Sequence, residues 1–114
     1  MSPKTCIWKG ANGKAYDFYI YALPCRFDPG QVGNYIYARR NDRRLWVPIY
    51  IGEGDLAERS SLTQHHRREC IQSKGATHFH CHRNPRREHR LSEEADLLER
   101  YTNALHPRGC NRKK

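Results

Sequence analysis

Short runs rich in aromatic and β-branched residues, separated by turn-forming residues, recur through the first half of the chain, and such runs are typical of β-strands. The pattern predicts three strands, at residues 15–23, 34–38 and 45–51. A charged turn around Asn41-Asp42 separates the second strand from the third. Pro48 removes one donor from the hydrogen-bond ladder, so we expect a sheet edge or a bulge there. Residues 1–14 are expected to form an irregular, polar lead-in.

The hydrophobic period changes to that of a helix after a glycine-flanked turn at residues 52–54. Asp55 is suited to be the helix N-cap, and Glu58 three residues later completes a capping-box pattern. We expect this helix to continue to about residue 73.

A fourth strand is predicted at residues 76–82, and a second long helix follows it. Asn84 provides an N-cap and Pro85 a first helical position, an arrangement that favours helix initiation. Apolar residues then recur at helical spacing until Pro107 and Gly109 end the pattern. The elements together predict an α+β domain, with a small antiparallel sheet flanked by α-helices.

Composition limits the chain to one small domain, since 114 residues with 37% hydrophobic content can form one modest core. No run approaches the roughly 20 apolar residues that a membrane span needs. The N-terminus also lacks the apolar run of a signal peptide. The 5 cysteines are odd in number and scattered, which favours reduced thiols in a cytoplasmic protein over a disulfide framework.

The chain is strongly basic, with a formal net charge of +9 from 21 Lys+Arg and 12 Asp+Glu. A polyanion, nucleic acid first, is therefore the expected partner. The alternative is that the charge serves only solubility. The residues predicted to bind nucleic acid are Arg39, Arg40, Arg43, Arg44, Arg67 and Arg90.

Two tyrosines are predicted to share one face of the sheet. Paired residue numbers in an antiparallel hairpin have a constant sum, so a two-residue turn at Asp42-Arg43 pairs Tyr35 with Tyr50. Directly opposed residues have Cβ atoms roughly 5 Å apart. A one-residue slip would move one phenol to the opposite face. The alternative is that both are ordinary strand tyrosines.

Arg59 and His66 are seven residues apart, so on a continuous helix they share nearly the same face. The planar guanidinium suits a phosphate, and a histidine there could relay a proton or orient water. His65 would point about 100° away and is the weaker candidate. The alternative is a solvated helix face.

Glu94 borders the apolar stripe of the last helix. A carboxylate there can bind a hard divalent cation whose remaining ligands are water and substrate oxygens. Arg90, four residues earlier, is placed to pair with it. The alternative is an exposed helix carboxylate.

In this arrangement the residues resemble the GIY-YIG nuclease domain family. Gly33-Asn34-Tyr35 is similar to the first signature, with Asn in place of the usual Ile, and Tyr50-Ile51-Gly52 matches the second. The run from residue 52 to Arg59 is similar to the family's approach to its helical arginine. The segment 94–101 is similar to its metal-site helix. Asn111 is similar to its terminal asparagine, and the resemblance covers roughly residues 33–111.

The resemblance implies three core antiparallel strands flanked by helices, to which this chain adds an N-terminal strand. It also implies an endonuclease that hydrolyses DNA phosphodiester bonds with one divalent cation, Mg²⁺ or Mn²⁺. The roles it implies are water activation or orientation by Tyr35 or Tyr50, charge stabilisation by Arg59, proton transfer by His66, metal binding by Glu94, and structural support by Gly52 and Asn111. Glu99 is the rival metal ligand.

The resemblance divides the chain into an N-terminal extension with an added strand (1–32), a nuclease-like domain (33–111) and a basic tail (112–114). DNA is the expected partner, with no membrane. The protein would be a monomer or a weak homodimer, and a recruiting protein partner could supply specificity.

Two other interpretations stay open. Histidines 78, 80 and 82 alternate on one face of a strand near several cysteines, and such ligands can bind zinc. Three solvent-facing histidines, however, need no metal. The second alternative is a nucleic-acid-binding module with the basic surface but no catalytic site.

Overall fold

Five strands and three helices make up the part of the chain that the computed structural model describes, residues 4–112. In chain order they are β1 (Thr5–Lys9), β2 (Ala15–Ala22), β3 (Val32–Arg40), β4 (Trp46–Asp55), α1 (Leu56–Arg59), α2 (Arg68–Ser73), β5 (His78–Arg83) and α3 (Arg87–Arg100), and a 3-10 turn follows at Thr102–Ala104. The predicted α+β class is confirmed.

The strands form one curled sheet in the order β1-β2-β5-β3-β4, and every neighbouring pair is antiparallel. The four predicted strands are present with shifted ends. The expected lead-in was wrong, because Thr5–Lys9 pairs with β2 along its whole length. Cys6 and Trp8 face the core from this strand. The N-terminal addition is therefore a hairpin rather than a single strand.

The two faces of the sheet bury separate clusters of side chains. One face packs against α3 through residues such as Trp8, Phe18 and Ile36. The opposite face carries Tyr35 and Tyr37 and packs against α1, α2 and the segment between them. Tyr35 on β3 and Tyr50 on β4 belong to this second face.

The register of the β3–β4 hairpin differs from the prediction by two residues. Asn41 pairs with Leu45 around a three-residue loop, in which Arg44 adopts φ 64°. A bulge at Pro48 adds a second residue, so Tyr50 lies opposite Tyr37 and Tyr35 lies opposite Gly52. Because two single-residue shifts restore the alternation, Tyr35 and Tyr50 still share one face. The edge and bulge expected at Pro48 are both present.

The long helix expected after residue 55 is broken. Asp55 does cap α1, accepting hydrogen bonds from the backbone of residues 57 and 58, but α1 ends after four residues. Ser60 donates its hydroxyl to the carbonyl of Ala57, and Ser61 bonds with Thr63. Such local hydrogen bonds compete with helical ones, so residues 60–67 form turns before α2 begins.

Helix α3 begins later than predicted and ends earlier. Its N-cap is Arg86 rather than Asn84, and the side-chain amide of Asn84 donates to Asn34 Oδ1 at 2.9 Å. It ends at Arg100, and the chain continues as a 3-10 turn rather than as helix. None of the helices in residues 4–112 is long and apolar enough to cross a membrane.

The expectation of reduced thiols is wrong for two of the cysteines. Cys70 of α2 forms a disulfide with Cys110, while Cys6, Cys25 and Cys81 are free. The sequence did not reveal the pair because 40 positions separate the two residues. The bond links α2 to the C-terminal segment beside Asn111.

Candidate active site

The two signature tyrosines meet on one face of the sheet. Their rings stack with centroids 6.1 Å apart and an interplanar angle of 22°. Tyr35 is 1% exposed, whereas Tyr50 is half-buried at the edge strand. The predicted proximity of the two phenols is therefore present, although they are diagonal rather than directly opposite neighbours.

Gly52 gives the Tyr35 ring the space it occupies. A Cβ atom at position 52 would lie 2.5 Å from both the Cζ atom and the hydroxyl oxygen of Tyr35. No side chain fits at that distance, so only glycine lets the phenol lie across β4. The supporting role expected for Gly52 has this contact as its physical basis.

Both phenols are hydrogen-bonded to histidines from the broken helical segment. The Tyr35 hydroxyl lies 2.8 Å from His65 Nε2, and the Tyr50 hydroxyl lies 3.3 Å from His66 Nε2. The two imidazoles stack at 4.7 Å. His65 is 1% exposed, although the sequence made it the weaker candidate. That ranking assumed a continuous helix, whereas the turns at 60–67 bring both rings to the tyrosines.

Arg59 comes from the last position of α1, and its main chain is fixed by the sheet. The Tyr37 hydroxyl donates to the Arg59 carbonyl at 2.6 Å. Gly54, with φ 141°, allows the guanidinium to lie close, since a Cβ there would be 2.7 Å from Arg59 Nε. That Nε is buried and has no hydrogen-bond partner within residues 4–112. The expected shared helix face with His66 is wrong, because α1 ends before the histidine.

Glu94 reaches the same neighbourhood from α3. Burial is the main cause of the raised pKa of Tyr50 and Tyr35, and the negative charge of Glu94 adds to the increase for both. The side chain is half-buried, whereas the rival Glu99 is exposed farther along the helix. Of the two candidate metal ligands, Glu94 is the one that acts electrostatically on the tyrosines.

Burial keeps the phenols and the inner histidine neutral. Desolvation raises the pKa of Tyr35 well above its usual value, and Arg59 opposes the increase. Desolvation also raises the pKa of Tyr50, and the positive charges of Arg59 and Arg67 partly oppose that increase. The pKa of His65 falls to about 4, because burial and the nearby cations disfavour imidazolium. The positive charge of Arg59 therefore acts on both phenols, and that of Arg67 acts on Tyr50.

Asn111 supports the edge strand beside the site. Its side-chain oxygen accepts from the Ile51 amide and its side-chain nitrogen donates to the Ile51 carbonyl, both at 2.8 Å. Ile51 lies between Tyr50 and Gly52, so these two bonds hold the second signature in place. This is the kind of structural contact that the resemblance implied for Asn111.

Arg90, predicted to bind nucleic acid, is instead buried in a polar network. It is 9% exposed and pairs with Glu53 at 2.9 Å. Its guanidinium also donates to the carbonyls of Asn84 and Pro85. The unusual Asn34 of the first signature donates to the Arg90 carbonyl. Arg90 therefore has a structural role here, and a DNA contact is not expected of it.

The other predicted nucleic-acid residues are more accessible. Arg40, Arg43 and Arg44 are exposed around the β3–β4 turn, and the Arg40 guanidinium lies 3.9 Å from the Trp46 ring centroid. Arg39 is half-buried. Arg67 is also half-buried and donates from Nε to the Cys110 carbonyl at 2.9 Å.

The histidines of β5 lie on the face of the sheet that packs against α3, where His80 is buried and His78 and His82 are partly exposed. His80 is fully buried and accepts from Trp8 Nε1 at 3.0 Å, and His82 pairs with Glu93 at 2.6 Å. Across residues 4–112, no group of three or more His, Cys, Asp or Glu side chains is arranged to hold a metal ion. The three histidines thus have packing and hydrogen-bonding roles.

The chain was compared with protein-family models, curated proteins and solved structures, and none of them matched it.

Proposed function

We propose that this protein is a metal-dependent endonuclease of GIY-YIG type, which hydrolyses DNA phosphodiester bonds with a single Mg²⁺ or Mn²⁺ ion. One arrangement carries the proposal: Tyr35 and Tyr50 stack with ring centroids 6.1 Å apart, and the buried Nε of Arg59 has no hydrogen-bond partner within residues 4–112. Burial is the main cause of the raised pKa of both phenols, and the charges of Arg59 and Glu94, from different helices, also act on it. Such clustering is a common property of catalytic sites.

The state of Arg59 supports a phosphate ligand. A buried donor without a partner costs free energy, and native proteins rarely leave one unpaired unless a ligand or water completes it. The unpaired Nε of Arg59 meets this description within residues 4–112. A phosphoryl oxygen is a suitable acceptor, since guanidinium and phosphate match in geometry and charge.

Glu94 is the residue that would hold the cation. Mg²⁺ commonly takes one or two protein carboxylates and completes its shell with water and substrate phosphate. A half-buried carboxylate near two phenols and a phosphate-binding arginine fits that donor set. When bound, the cation would neutralise charge on the phosphate and the leaving oxygen.

The phenols would orient the attacking water. Burial holds both in the protonated form near neutral pH, because it raises the pKa of each. A protonated phenol can donate to, and accept from, a water placed in line with the phosphate. Positive charge near the hydroxyls favours the phenolate, and Arg59 already acts in that direction.

The sheet also supports the family assignment. Strands β3, β4 and β5 form an antiparallel unit with β3 at its centre, and three helices accompany it. This is the arrangement that the resemblance implies, with the β1–β2 hairpin added at the edge of β5.

The test is nicking of supercoiled plasmid DNA with Mg²⁺, comparing the wild-type chain with Glu94→Gln and Glu99→Gln. The two changes remove equal charge from the same helix, one near the phenols and one exposed. We expect Glu94→Gln to reduce nicking at least 100-fold with DNA binding retained, and Glu99→Gln to stay within about twofold. Equal rates for wild type and Glu94→Gln would refute the catalytic assignment.

A non-catalytic nucleic-acid-binding module is the second candidate. The exposed arginines of the β3–β4 turn favour it, since they present positive charge to solvent. This alternative predicts DNA binding that falls steeply with salt and no nicking by the wild-type chain with either metal.

A further inference from the structure

His65 occupies a position that its hydrogen bonds define on both sides of the ring. The backbone amide of Arg67 donates to His65 Nδ1 at 3.0 Å. On the other side, Nε2 lies 2.8 Å from the Tyr35 hydroxyl. The ring is 1% exposed, so water does not compete for either nitrogen.

The first of these bonds determines the tautomer. A backbone N–H can only donate, so the Nδ1 that faces Arg67 carries a lone pair rather than a proton. A neutral imidazole has one proton, which must then be on Nε2. His65 therefore donates from Nε2, and the Tyr35 oxygen accepts. If Nδ1 were protonated, its N–H would face the N–H of Arg67, and neither group could accept a hydrogen bond. This agrees with the pKa of His65, which burial lowers to about 4.

The direction of this bond determines what Tyr35 can do. Since its oxygen accepts from His65, the proton of the Tyr35 hydroxyl is directed away from the histidine. We propose that His65 is a positioning residue: its Nε2–H, fixed by the Arg67 amide, orients the Tyr35 hydroxyl so that the phenol donates its proton away from the histidine, toward the scissile phosphate or attacking water. The inference rests on the proposed nuclease function.

His66 has a different environment, which separates the roles of the two neighbours. It is exposed, and its bond to Tyr50 is longer, at 3.3 Å. No backbone amide holds its Nδ1 among the hydrogen bonds of the described residues. The His65–Tyr35 pair is thus held in one orientation, whereas the His66–Tyr50 pair is open to solvent.

The first test is ¹⁵N NMR of the full chain with labelled histidine, and it needs no activity. We expect His65 to show a protonated Nε2 and an unprotonated Nδ1, unchanged between pH 5 and pH 8. A protonated Nδ1, or equal populations of the two tautomers, would overturn the assignment of donor and acceptor.

The second test uses two variants of similar size. His65→Gln keeps an amide donor near the Nε2 position, whereas His65→Leu removes it. We expect His65→Leu to lower kcat for DNA cleavage about tenfold with KM unchanged, because one hydrogen bond to a reacting group is lost. His65→Gln should recover most of that loss, and His89→Gln, at an exposed position outside the site, should match wild type.

Melting curves show whether each variant folds, and rates are compared only after correction for the folded fraction. Equal corrected kcat for His65→Leu and His65→Gln would refute the positioning role. A wild-type chain that shows the Nε2–H tautomer but never cleaves DNA would refute the proposed function and the positioning role with it. Failure of the NMR test in an active enzyme would refute this inference alone.

Discussion

Replacing both disulfide cysteines with serine should destabilise the protein mainly through its unfolded state. The C-terminal segment keeps other anchors in the folded chain. Cys110 donates its amide to the Ile49 carbonyl at 2.7 Å, and Asn111 bonds to Ile51 on both sides of its amide group. Because these bonds do not need the disulfide, Cys70→Ser with Cys110→Ser should retain the native fold.

The magnitude follows from the length of the closed loop. The bond spans a sequence separation of 40 residues, which corresponds to a chain entropy of about 13 cal/mol/K in the loop-closure description. At 25 °C the free energy of unfolding should therefore fall by about 4 kcal/mol. For a domain of this size, each kcal/mol shifts Tm by roughly 4 °C, so we expect a decrease of about 15 °C.

The assay is urea unfolding followed by circular dichroism, for wild type, the double serine variant and Cys25→Ser. Cys25 is a free, half-buried thiol and serves as the matched control. Thiol titration of the denatured, unreduced chain should find three thiols, and five after reduction. A double variant as stable as Cys25→Ser, or five thiols without reduction, would refute the reasoning.

Three further predictions follow from contacts of single residues. Gly52→Ala should lower the free energy of unfolding by about 1–3 kcal/mol and the nicking rate at least tenfold, because the new Cβ would lie 2.5 Å from the Tyr35 hydroxyl. Wild-type values in urea unfolding and plasmid nicking would contradict this. Arg90→Ala should destabilise the folded protein by about 3–5 kcal/mol, since it leaves Glu53 unpaired. The double variant Arg90→Met with Glu53→Gln should lose less stability, and urea unfolding of both variants tests this comparison. The free energy of unfolding should decrease as the pH falls from 6.5 toward 3, because burial lowers the pKa of His80 to about 3 and the unfolded chain takes up the proton first. The loss should be on the order of 3 kcal/mol at pH 4. A His80→Phe variant with the same pH dependence would contradict this prediction.

Elements with strong local signals could be predicted from the sequence. Strands β2 to β5 carry clear β-propensity or apolar runs, and the Asp55 cap depends only on its neighbours. β1 was not predicted because it is only five residues long. Its outward-facing Ile7 is apolar although it is 62% exposed, so the strand lacks a clear alternation of polar and apolar residues. Its stability comes from pairing with β2, which is a tertiary contact rather than a local preference.

The site residues show the same difference between features set by the local sequence and features set by tertiary contacts. Tyr35 and Tyr50 were placed on one face because strand alternation survives an even register shift, although the turn and the bulge each added a residue. His65 was misjudged because serine and threonine hydrogen bonds interrupt the helix that would have turned it away. Arg90 was misassigned because its partner Glu53 is 37 residues distant, and burial of that pair is a property of the folded chain alone.

The edge position of β4 explains why the C-terminal segment lies beside the candidate site. An edge strand has one set of unpaired backbone groups, and here the C-terminal segment covers it through Cys110 and Asn111. Cys110 is bonded to α2, whose preceding turns carry His65 against Tyr35. The edge strand, the C-terminal segment, α2 and the histidine turn therefore form a closed ring of contacts around the two phenols. Because the hydrogen bonds of this ring do not need the disulfide, they should keep the phenols in place when it is removed, and disruption of the β1–β2 hairpin, which lies beyond β5, should likewise lower stability without altering the ring.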